Sequence, residues 1–171
     1  MRSLTVDSDN NPWLAFSLFS RDDEVAAVSR YAAGEWSTPW ILGTHAESDT
    51  TDEGVVLASG PNGEVWLTWI TKPILSSYLF CGRIMMSHYE GGWGAPLVIA
   101  PDYQNFLPMI IMEGSQRIWM SWSRETTLGE PGEPRTTWYA YDQGERTPST
   151  LSSTRTGTSG TGDSHGIRMK L

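Results

Sequence analysis

The sequence predicts an all-β chain, a β-propeller of three four-stranded blades of about 53 residues each, and three observations predict it. The first is a repeat. Trp13-Leu14-Ala15-Phe16, Trp66-Leu67-Thr68-Trp69 and Trp119-Met120-Ser121-Trp122 share one pattern (Trp, apolar, small, aromatic), and their first residues lie 53 apart, twice. The second is a landmark after each copy. Tyr31 to Pro39 and Tyr89 to Pro96 both hold Tyr, Gly, Trp and Pro, and Tyr141 to Pro148 keeps Tyr, Gly and Pro without the Trp. The third is a period of two within each unit, with bulky residues on both faces of the second strand. Alternation puts Trp13, Trp66 and Trp119 on one face and Phe16, Trp69 and Trp122 on the other. Both faces then need cover, whereas a sandwich strand commonly shows one face to water.

Turn residues divide each unit into short strands. In the first they fall at about 3–7, 13–18, 24–31 and 36–42; in the second at about 55–59, 65–70, 78–89 and 93–99. In the third they fall at about 108–112, 117–123 and 135–141, with a fourth expected at 147–151. A turn precedes each Trp motif: Asp9-Asn10-Asn11-Pro12, Pro61-Asn62-Gly63-Glu64 and Glu113-Gly114-Ser115-Gln116. The blades therefore span about 3–53, 54–106 and 107–150. A stretch that reads as a linker, 147–166, runs into a Ser/Thr/Gly-rich tail, 151–171. Its last residues, Gly166 to Leu171, match the position of Gly54-Val55-Val56-Leu57, so they read either as the first strand of a further blade or as an ordinary tail.

Composition narrows the partners. The chain has 171 residues, nine of them Trp, and a formal charge of −8. Residues 1–144 carry 8 basic and 18 acidic side chains with no basic run, which argues against nucleic acid. No apolar run approaches the ~18 residues of a membrane span, and Met1-Arg2-Ser3-Leu4 has no signal-peptide core, so the chain reads as soluble and without a membrane partner, and as secreted if it is a fragment of a longer precursor. Cys81 is alone, in the apolar Leu79-Phe80-Cys81, and reads as a buried thiol. His45, His88 and His165 lack metal-ligand spacing, so no metal or other cofactor is expected.

The pattern of Gly, apolar-Trp-apolar-x-Trp, then Tyr-x-x-Gly-x-Trp-Ser-x-Pro resembles the sialidase-like, Asp-box propeller repeats over about residues 3–150. The Asp-box signature is degenerate. Ser29 and Trp36 keep its spacing, Tyr31 occupies the Asp position, and Ser87 to Trp93 is one residue short. The resemblance implies a ligand face on one rim, where the strand 2–3 loops and the connections between blades emerge. A member active as a sialidase would carry an Arg-Ile-Pro, an arginine triad and a Tyr–Glu pair. Arg83-Ile84-Met85 is the nearest match to the first, so no catalytic residue is assigned.

The rim residues expected from this placement are Arg21 and Asp22, Lys72, and Arg124 and Glu125 in the strand 2–3 loops, with Asp52, Glu53, Tyr103 and Asn105 between blades. Arg21, Lys72 and Arg124 occupy similar places, and read either as a clamp for a carboxylate or sulfate or as solvated loop charges. Glu47, Asp49, Asp52 and Glu53 read as a calcium or acid/base cluster or, more simply, as a solvated acidic loop. Asp7 to Asn11 opens like a calcium loop but suits an Asx-type hairpin turn. The expected function is a non-catalytic binding module for a carbohydrate or protein, with a fragment of a sialidase-like glycosidase as the alternative. Three blades do not close a ring. The expected partner is therefore either a second copy, completing six blades, or further blades of a longer chain.

Overall fold

A computed structural model describes residues 2–20, 23–43, 50–74, 82–114, 117–124 and 133–140. It is all-β, with antiparallel sheets, and among the described residues no helix is long and apolar enough to cross a membrane. One sheet contains β1 (Arg2–Val6), β2 (Pro12–Ser20), β3 (Asp23–Ala32) and the short β4 (Glu35–Trp36) and β5 (Trp40–Ile41). The other contains β6 (Thr50–Ser59), β7 (Val65–Pro73), β8 (Gly82–Tyr89), β9 (Leu97–Glu113), β10 (Arg117–Arg124) and β11 (Glu133–Ala140), paired in chain order. Neither sheet closes on itself.

The sequence expected separate sheets for the second and third units, but they share one. β9 is the reason. Its first half pairs with β8 (Ala100 opposite Ile84) and its second half with β10 (Ile111 opposite Trp119), so a strand expected to stop near residue 99 runs on into the next. Pro108 does not break it, because it sits where two residues of β9 oppose one of β10. Leu107 there has φ 52°, and Gly54, one repeat earlier, has φ 67° at the same kind of bulge in β6. These bulges lie opposite Trp122 and Trp69. In the first unit the fourth strand is reduced to β4 and β5, both pairing with β3, with the Ser37–Pro39 segment between them.

Both faces of the middle unit are covered, as the aromatic alternation requires. Trp13 and Ala15 of the first unit pack with Val55, Leu57, Val65, Leu67 and Trp69 of the second. From its opposite face, Ala58, Trp66, Ile84 and Met86 pack with Ile110, Ile118 and Met120 of the third, so the six-stranded sheet folds over at β9. First strands of neighbouring units run side by side. Leu57 N donates to Ser3 Oγ at 2.9 Å, and Thr5 Oγ1 lies 2.8 Å from Ser59 Oγ, each pair 54 residues apart.

The Tyr–Trp landmark is a hairpin pair. Tyr31 and Trp36 are cross-strand partners with ring centroids 5.4 Å apart, and Tyr89 and Trp93 repeat this at 5.6 Å. Under each pair a serine closes the turn: Ser29 Oγ donates to Ser37 O at 2.6 Å, and Ser87 Oγ to Gly94 O at 2.8 Å. The third landmark, from Tyr141, lies outside the described residues, as do Cys81, His45, His165, Glu47, Asp49 and the tail.

Candidate functional site

An antiparallel up-and-down order puts the end of each unit's second strand beside the start of its third. Register fixes the residues at that edge: Ser20 opposite Asp23, Lys72 opposite Thr51, Thr71 opposite Arg83, and Arg124 opposite Glu133. Asn105 of β9 pairs with both Gly82 and Arg124. The first and second units meet along this edge, where Glu24 N donates to Thr51 Oγ1 at 3.2 Å. Of the residues the sequence expected on a rim, register places Asp52, Lys72, Asn105 and Arg124 at this edge, with Glu53 one residue further along β6 and Tyr103 within β9. Arg21, Asp22 and Glu125 lie outside the described residues.

The edge is more tightly bonded than a row of solvated loop charges. Asp52 is buried; its Oδ2 accepts from Ala26 N at 3.2 Å, and its Oδ1 accepts from Thr71 Oγ1, which itself accepts from Trp69 Nε1 at 3.1 Å. This carboxylate locks the first unit to the second. A Cβ on Gly43 would stand 1.7 Å from Asp52 Oδ2, so only glycine leaves room for it. One repeat on, Asn105 is also buried, and its Nδ2 donates to Gly82 O at 3.4 Å. Lys72 and Glu53 form an ion pair whose side chains are only 11% and 18% exposed. Such a pair holds both groups in fixed positions, which suits a preformed surface more than a mobile one.

A second polar centre, which the sequence suggested only as an Asx turn, lies at the opposite edge. Asp7 Oδ1 accepts from Asp9 N at 3.0 Å and Asn11 N at 2.9 Å, the expected turn. Its Oδ2 accepts from Trp13 Nε1 at 2.8 Å and meets the Arg30 guanidinium at 3.1 Å, while Arg30 also covers the Trp13 ring at 5.3 Å. Burial pushes the Asp7 carboxyl up. The hydrogen bonds from Trp13, from the Asn11 backbone and from the Asn11 side chain, with the Arg30 charge, outweigh burial and hold it below the usual carboxylate value.

Each half of this staple recurs in another unit, the indole bond in the third and the turn bond in the second. In the third unit Glu113, one repeat pair after Asp7, accepts from Trp119 Nε1. In the second unit the equivalent position is Gly60, and the carboxylate comes instead from Glu64: Asn62 N donates to Glu64 Oε2 at 2.8 Å. A Cβ on Gly60 would lie 2.4 Å from the Glu64 carboxyl carbon, so the two sources compete for one volume. The spacing of 53 contains this signal, but only if Glu64 is aligned with Asn11 and compared by the place its carboxylate reaches.

One exposed aromatic pair also lies at this second edge. Trp36 is 48% exposed and Tyr31 37%, whereas their counterparts Trp93 and Tyr89 pack against the first core. No protein-family model matches the chain, and no curated protein matches it.

Proposed function

We propose that the chain is a sialidase-like β-propeller binding module, its three repeat units acting as blades, which holds a carbohydrate without transforming it. The blade reading is supported by the packing of the middle unit on both faces and by equivalent first strands lying side by side at one-repeat separation. The observation that carries the function is the rigid polar edge, where Asp52 and Glu53 are bonded to Ala26 N, Thr71 and Lys72 instead of facing one another as an acid/base pair. Held in place beside the buried Asp52, the partly exposed Glu53 and Lys72 offer fixed charged groups at the strand ends to a hydroxylated ligand.

A second location has its own support: the exposed Trp36–Tyr31 pair offers a flat ring for stacking on a sugar face. A glycan array read with the wild type, the double variant Glu53→Gln/Lys72→Met and Trp36→Ala tests both. Binding by wild type and Trp36→Ala, lost in the double variant, supports the charged edge. Loss in Trp36→Ala alone moves the site to the opposite edge. Absence of binding to every glycan refutes the carbohydrate reading, and hydrolysis of a sialoside replaces it with a glycosidase.

A further inference from the structure

Among the described residues, the first and third units each leave an apolar face exposed. On the third unit Met109 and Ile111 are 62% and 61% exposed beside Trp119, forming an apolar trough of about 400 Å³. On the first unit Leu4 and Val6 are 65% and 48% exposed, next to the half-buried Leu14 and Phe16. Monomers rarely show contiguous apolar surface of this kind without a partner.

The repeat identifies what each face fits. Inside the chain the same contact forms twice. The face bearing Trp13, Ser3 and Thr5 meets the face bearing Trp69, Leu57 and Ser59. The face bearing Trp66, Val56 and Ala58 meets the one bearing Trp122, Ile110 and Met112. In 53-residue register, Met109, Ile111 and Trp119 are the third example of the first kind of face. Leu4, Val6 and Phe16 are the missing example of the second. Among the described residues, the first and third units thus present the two unmatched halves of an interface the chain already makes twice.

We infer that two copies of this chain dock head to tail, the Met109–Ile111–Trp119 face of each receiving the Leu4–Val6–Phe16 face of the other, so that two such contacts close a ring of six units. Closure rests on the blade reading proposed above; the pairing of faces rests on the register. The internal contact between Thr5 and Ser59 has Ile111 and Val6 of different copies as its counterpart. Head-to-tail contacts that fail to close would instead extend into filaments.

Light scattering across a concentration series tests this. Wild type is expected at twice the 19.0 kDa of one chain. Ile111→Lys and Leu4→Lys, both at exposed positions and each checked for an unchanged circular dichroism spectrum, are each expected at one chain mass. Each variant keeps one intact face, so mixing the two restores a dimer, needing higher concentration because only one contact forms. A monomeric wild type overturns the inference, and so does a series of larger assemblies. A dimer retained by one of the single variants also overturns it, because that is the mark of like face on like face. These masses do not depend on glycan binding, so this inference and the proposed function fail separately.

Discussion

Replacing Asp7 by Asn tests whether a buried carboxylate, and not merely a turn-shaped side chain, holds the first unit together. The amide keeps an oxygen for Asp9 N and Asn11 N, which donate to Oδ1 at 3.0 and 2.9 Å. The other end of the group becomes an NH₂ facing two donors, Trp13 Nε1 at 2.8 Å and Arg30 at 3.1 Å. Trp13 is fully buried, so its indole N–H gains no water in exchange. Hydrogen bonds to charged groups are worth about 1.5–3 kcal/mol and a partly exposed ion pair up to ~1, giving an expected loss of about 2–4 kcal/mol at neutral pH. Urea unfolding followed by tryptophan fluorescence reads it, at one protein concentration so that assembly does not shift the midpoint.

The acid limb of the same experiment is sharper. The folded-state pKa of Asp7 lies below its usual value of 3.8, so the stabilisation is fully present above that value and is lost as pH falls through the lower, folded one. The gap between wild type and Asp7→Asn is therefore constant from neutral pH down to about 4 and narrows below it. A variant as stable as wild type at pH 7, or a gap that does not narrow in acid, refutes the account of the staple.

Two further substitutions probe the joints between units. Gly43→Ala is expected to cost about 1–3 kcal/mol by displacing the Asp52 carboxylate, and markedly less in an Asp52→Ala background; equal costs in the two backgrounds refute the close-approach argument. Glu64→Asn alone should lose about 1–2 kcal/mol, whereas Gly60→Asp/Glu64→Asn, which rebuilds the Asp7–Asn11 arrangement, should recover most of it; thermal unfolding of both variants decides.

The repeat was legible because the side chains that define it, Trp13, Trp66 and Trp69, fill the cores between units, and a core position tolerates few residues. Strands β1 to β3 and β6 to β7 follow for the same reason. What was not legible is what pairs with what. Strands expected separately at about 93–99 and 108–112 are joined in β9, where a bulge absorbs Pro108. Of the rim, the sequence placed Lys72, Asp52, Glu53 and Asn105 at one end of the strands. It did not show that Asp52 and Asn105 face inward to the preceding unit, since burial there depends on backbone groups of β3 and β8 more than twenty residues away.

Glu64 has a consequence for which residues the second unit accepts. Its carboxylate and a side chain on Gly60 exclude each other, so positions 60 and 64 are not independent. Starting from the arrangement of the first unit, gaining Glu64 first forces two carboxylates into one space, whereas losing the acid at 60 first strips the turn of its acceptor. Either single step is a valley, and the two changes are epistatic. In the first and second units, then, a carboxylate oxygen serves the equivalent turn N–H from two different sequence positions, 7 and 64. Comparing the units residue by residue at a spacing of 53 therefore misses a likeness that comparing the positions of their oxygens finds.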